Sequence, residues 1–118
     1  MPQIDPDMGA ALIAYLERIT EDYRASWQGR AEEPPVAEMI KDFSTNLTFE
    51  TGRKYVKVID GRRCARSVHS FIVLSDGNGF LRGDILKAEG WQSPALNFRR
   101  GNVFEDKQGA NRISWAGF

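Results

Sequence analysis

Cysteine and histidine are nearly absent: the 118 residues hold one of each, Cys64 and His69. A single thiol forms no internal disulfide, and one Cys beside one His is too small a donor set for a Cys/His zinc site. Long apolar runs are missing as well. The longest, within Met8–Leu16, is interrupted and too short to span a bilayer. No basic segment precedes it, as one would in a secretory signal, so a cytoplasmic chain without membrane association is expected. Phosphate-cradling glycine motifs are lacking too. Asp76-Gly77-Asn78-Gly79 has neither the Lys-Ser/Thr ending nor the following helix of a P-loop, and no acidic spacing of an EF-hand surrounds it. These absences leave no expected cofactor, metal site or catalytic residue, and they favour a non-enzymatic protein. There is no internal repeat.

What is present reads as one globular domain over 1–118, with 42% hydrophobic and 27% charged residues. The zero net charge conceals a division. Residues 1–50 carry ten acidic and four basic side chains, and residues 51–118 carry six acidic and twelve basic, so the halves stand at −6 and +6. Such a split predicts an acidic and a basic face.

The first part, 1–43, reads as helical. Asp7 is the expected N-cap of a helix over 8–27. Its stripe is Met8, Leu12, Tyr15, Leu16, Ile19, Tyr23 and Trp27, at steps of three and four. Gly29 is the stop signal. Pro34-Pro35 ends a linker, and a second helix over 35–43 carries Val36, Met39, Ile40 and Phe43. From 44 to 118 the pattern is β. Leu47 and Phe49 alternate with polar residues, and Tyr55–Ile59 and Ser67–Leu74 are strand-like. Asp60-Gly61 and Asp76–Gly79 read as turns. Phe80-Leu81, Gly83–Lys87, Asn102–Glu105 and Arg112–Trp115 are shorter strand candidates. Helices followed by short strands with tight connections predict an α+β fold, with the N-terminal amphipathic helix packed on a small, bent antiparallel sheet or open barrel.

Few residues offer catalysis. Cys64 and His69 flank a strand start, and their spacing does not bring them together, so both read as packing residues. Ser67 and His69 fall on one strand face, an alternation that any half-solvated strand produces. The distinctive stretch is Phe80–Phe104. It interleaves Arg82, Lys87, Arg99 and Arg100 with Phe80, Trp91, Phe98 and Phe104. Single-stranded nucleic-acid platforms use this chemistry, cations for phosphates and rings for bases. The competing reading, favoured on core size, buries Trp91, Phe98 and Phe104 and leaves the cations solvated. Arg62, Arg63 and Arg66 add charge to the same half. The expected binding set is therefore Arg62, Arg63, Arg66, Lys87, Trp91, Arg99 and Arg100. Reversing Arg99 and Arg100 is expected to leave the fold intact and weaken binding.

Gly83-Asp84-Ile85-Leu86-Lys87-Ala88, Gly90-Trp91, Pro94-Ala95 and Arg100-Gly101-Asn102-Val103-Phe104 resemble a pattern in short tailed-phage and prophage proteins of unknown function. Strands like Lys54–Val58 and Ser67–Phe71 precede it there as here. The resemblance spans Lys54–Phe104 and implies a phage gene product acting in the bacterial cytoplasm. Its expected partner is a host protein or ribonucleoprotein complex, bound as small anti-defence factors bind. A single-stranded nucleic-acid-binding module is the alternative. The motif supplies no catalytic residue, and most of it reads as fold-specifying turn chemistry, with Lys87 and Arg100 least needed for folding.

Overall fold

A computed structural model describes residues 4–61, 66–105 and 114–115. Two helices come first, α1 (Pro6–Ala25) and α2 (Pro34–Asn46). Five strands follow: β1 (Leu47–Thr51), β2 (Tyr55–Asp60), β3 (Ser67–Val73), β4 (Asp84–Lys87) and β5 (Gly101–Asn102). The strands pair in chain order, every neighbour antiparallel, into one open sheet. The α+β expectation holds in its open-sheet form.

Helix α1 starts earlier than the sequence predicts. Asp5, not Asp7, is the N-cap: its Oδ1 accepts from the Met8 N–H at 2.8 Å, and Pro6 takes the first turn, where no backbone donor is needed. Ala25 ends the helix, so Trp27 lies beyond it, and Gln28 and Gly29 turn the chain with φ of 52° and 88°. In α2 the buried stripe is Val36, Ile40 and Phe43, while Met39 is exposed. The expected stripe was one residue too wide.

One face of the sheet packs on the helices. Alternation directs Val56, Val58, Ile72 and Ile85 inward to Met8, Leu12, Tyr15, Ile19, Ile40 and Phe43. Tyr23 of α1 stacks on Phe43 of α2, ring centroids 4.3 Å apart. Trp115 sets its edge on Tyr23 at 4.8 Å, and its backbone N–H donates to Asp22 Oδ2 at 2.8 Å. The helices thus close the core that a five-stranded sheet cannot close alone. Of the proposed closing strand at 112–115, Arg112 and Ile113 lie outside the described residues.

The connection from β3 to β4 follows its glycines. Gly77 and Phe80 exchange both backbone hydrogen bonds at 2.9 Å around Asn78-Gly79, whose φ angles are 54° and 85°. That is a type I′ turn, for which Asn-Gly is the preferred pair. The rest of the distinctive motif then locks to itself. Asp84, fully buried, accepts from the Leu81 N–H at 2.8 Å and from Asn102 Nδ2 at 3.0 Å. Asn102 Nδ2 also donates to the Arg82 carbonyl at 3.0 Å, and its Oδ1 accepts from the Phe104 N–H at 2.8 Å. Gly-Asp and Arg-Gly-Asn-Val-Phe are two halves of one clasp holding β4 to β5.

Candidate functional site

The Ser67/His69 alternation read from the sequence is broken by a bulge. Val58 pairs with Ser70 and Ile59 with Val68, so His69 is the extra residue of a bulge. The bulge re-aims the ring. His69 meets Ser70, not Ser67: its Nδ1 lies 3.0 Å from Ser70 Oγ, and its Nε2 lies 2.8 Å from the Ser114 carbonyl. The carbonyl only accepts, so Nε2 carries the proton and Nδ1 accepts from Ser70. Ser70 Oγ in turn accepts from the Tyr15 hydroxyl at 2.8 Å. Tyr15 and Ser70 have no exposed surface, and His69 has little. This relay ties α1, β3 and Ser114 together. Burial pushes the Tyr15 phenol well above its ordinary value.

Burial, with a smaller contribution from Arg18, also pushes His69 below its ordinary 6.5, against the opposing pull of the Ser114 carbonyl and Asp60. A depressed histidine favours the neutral, folded form. Its contribution is complete above pH 6.5 and is lost as pH falls through the lower folded value. Folding stability is therefore expected to fall below pH 6.5, by at most ~1.4 kcal/mol per pH unit from this group. Denaturant unfolding across about pH 5–7.5 checks this, and His69→Gln, which keeps a donor for the carbonyl, should flatten the profile. Asp5 adds to the loss only below its ordinary 3.8, because the Met8 N–H and Arg82 stabilise its carboxylate.

The other face of the sheet carries no described helix. Phe71, Val73 and Leu86 form a second apolar cluster there, edged by Tyr55, Val68, Phe80 and Ala88. Lys57 faces the same way, because it alternates with the inward Val56 and Val58 and pairs across the strand with Phe71. Its ammonium lies 6.0 Å from the centroid of Phe71 and 4.9 Å from that of Trp91. The Arg66 guanidinium stands 5.1 Å from the Trp91 centroid and 3.7 Å from Glu50. Trp91 is 39% exposed, and Phe98 and Phe104 are exposed as well. The expectation that these three rings are core is overturned: two helices and the inner strand residues already fill it.

The sequence-derived binding set divides. Arg66 and Trp91 come together. Arg99 is engaged elsewhere, 3.1 Å from Glu105 and 3.4 Å from Asp84, and the Glu105 hydrogen bond leads in raising its pKa. Arg100 covers Phe98 at 4.1 Å, and Arg82 covers Phe104 at 5.0 Å. Lys87 is exposed, but its strand position alternates with Leu86 and places it with inward-facing Ile85, away from Trp91. Arg62, Arg63 and Cys64 lie outside the described residues. Sequence reasoning missed Lys57, Tyr55 and Phe71, although the alternation in Tyr55-Val56-Lys57 already assigned the first two to one face.

Among the described residues, no group of three or more His, Cys, Asp or Glu is placed to hold a metal ion. No helix there is long and apolar enough to cross a membrane. The outer face offers π surface from Tyr55, Phe71 and Trp91 and positive charge from Lys57 and Arg66. Residues 5–118 match the model of a family of unknown function, DUF7717. The chain belongs to this family. The DUF7717 match takes in both helices as well as the sheet, and so extends beyond the segment Lys54–Phe104. No curated protein and no solved structure matches the chain.

Proposed function

We propose that the protein is a non-enzymatic binding module that takes single-stranded nucleic acid on the outer face of its sheet. One observation carries this reading: the exposed Trp91 ring has two cations, Lys57 and Arg66, about 5 Å from its centroid. An accessible indole stacks on any base, and the adjacent cations meet the phosphates that follow it. Duplex DNA hides its base faces, so the same site discriminates against it. A labelled oligothymidylate titrated with protein, followed by anisotropy, tests the reading. Saturable binding, competed by unlabelled single strand and poorly by duplex, is the expected result. Equal competition by duplex removes the role given to Trp91.

A second reading has its own support. Phe98 beneath Arg100, Phe104 beneath Arg82, and exposed Leu81 and Leu96 give an arginine–aromatic surface of the composition found at protein interfaces. Together with the resemblance to phage and prophage proteins, this supports a phage-encoded protein acting in the bacterial cytoplasm on a host protein or ribonucleoprotein. A pull-down from host lysate with and without nuclease separates the two. Capture abolished by nuclease supports nucleic acid as the direct ligand, whereas capture that survives nuclease but is lost on Phe98→Ala supports a protein partner.

A further inference from the structure

Beside Trp91, the outer face is indented by a groove of about 350 Å³ between the β1–β2 hairpin and Phe71. Its floor is a corner of two rings: Tyr55 meets Phe71 edge to face, centroids 5.9 Å apart at 77°. Its rim is charged. The three-residue hairpin turn Gly52-Arg53-Lys54 closes through the Gly52 N–H to the Tyr55 carbonyl at 2.8 Å, which sets Arg53 and Lys54 at the mouth. Lys57 lines the groove from the sheet, and its ammonium stands above Phe71. Three cations thus converge on an aromatic floor against one carboxylate, Glu50, which already pairs with Arg66. Gln92 brings an amide that both donates and accepts.

From this we infer that the groove is a site for one nucleotide unit, a nucleobase on Tyr55 and Phe71 with its phosphate held by Arg53, Lys54 and Lys57. The chemistry selects this occupant over its parts. A base alone leaves the cationic rim without a counter-charge, and inorganic phosphate alone leaves the rings uncovered. The volume lies at the small end of ligand sites, which suits a nucleotide better than a larger cofactor. Lys57 stands over both Phe71 and Trp91, so a nucleotide in the groove and a base on Trp91 share one cation between them. The site deepens the single-strand reading, since it is where one nucleotide of a bound strand would be seated. A free nucleotide has the same chemistry.

Calorimetric titration with adenosine 5′-monophosphate, adenosine and inorganic phosphate at low salt tests the site, with oligothymidylate as the fourth ligand. The monophosphate is expected to bind more tightly than either fragment. Arg53→Glu with Lys54→Glu should weaken it roughly tenfold or more, because hydrogen bonds to charged groups carry such differences. Both residues are exposed in a turn, and an unchanged thermal midpoint verifies the fold. Phosphate binding as tightly as the monophosphate, no binding of the monophosphate, or binding indifferent to the double substitution would each overturn the site. The failures are separable. If oligothymidylate binds and depends on Trp91, but not on Arg53 and Lys54, the groove proposal falls and the single-strand reading stands. If the monophosphate binds and oligothymidylate does not, the groove stands and the single-strand reading falls.

Discussion

Gly83→Ala is expected to destabilise the protein by about 3 kcal/mol or more, placing it among severe single substitutions. Gly83 has a φ of +89°, in the left-handed region, where a Cβ costs roughly 1–2 kcal/mol. Here the Cβ also has nowhere to go. It would stand 2.5 Å from Phe104 Cδ2 and 2.7 Å from Asn102 Oδ1, and Asn102 is held by the Phe104 N–H, the Arg82 carbonyl and Asp84. Relief therefore requires breaking the clasp between β4 and β5. Gly79 supplies the control. Its φ is +85°, but a Cβ there meets nothing within 4 Å. Gly79→Ala should show only the backbone cost, and the difference between the two variants in urea unfolding measures the clasp. Equal effects would mean that the contacts around Gly83 contribute little.

The second large effect concerns binding. Lys57→Glu with Arg66→Glu is expected to reduce single-strand affinity about a hundredfold or more at low salt, since two charge-assisted phosphate contacts become repulsive. Trp91→Ala should cost about 1–3 kcal/mol of binding, the range for one stacked base. Arg99→Glu is expected to behave differently from the sequence-based expectation. That arginine neutralises Glu105 and the buried Asp84, so reversal sets a third carboxylate beside two others. The loss should appear in the unfolding midpoint more than in affinity. If Arg99→Glu removes binding while the midpoint is unchanged, the working surface runs through Arg99 and not through Trp91.

The difference between those residues explains how much of the molecule was readable beforehand. The α1 stripe, β2, β3 and the Asn-Gly turn were legible because each rests on local periodicity or on one residue's φ preference. The same is true of the fold-specifying character of the Gly83-Asp84 and Asn102 motifs. Met39 was misplaced because a helical stripe does not reveal which of its edges a neighbour covers. The alternation that sets Ser67 and His69 on one face does not survive because a bulge shifts it by one, and nothing in Ser67-Val68-His69-Ser70 announces it. The aromatic–cation character of the basic half was visible, but its partition was not. Trp91 meets Lys57 and Arg66 only through the strand register and the path of the chain after β4, and Arg99 meets Asp84 across the β4–β5 clasp. Long-range pairings of this kind follow from topology, not from spacing.

The salt dependence of oligothymidylate binding tests the outer-face reading most directly. Each phosphate neutralised on a single strand contributes about −0.7 to the slope of log affinity against log salt. Contacts from Lys57 and Arg66 alone give about −1.4, and engagement of Arg53 and Lys54 takes the slope towards about −2.8. In Lys57→Gln with Arg66→Gln the slope should become shallower by about 1.4. A wild-type slope within error of zero, or a slope unchanged by that double substitution, would contradict the assignment of this face to nucleic acid.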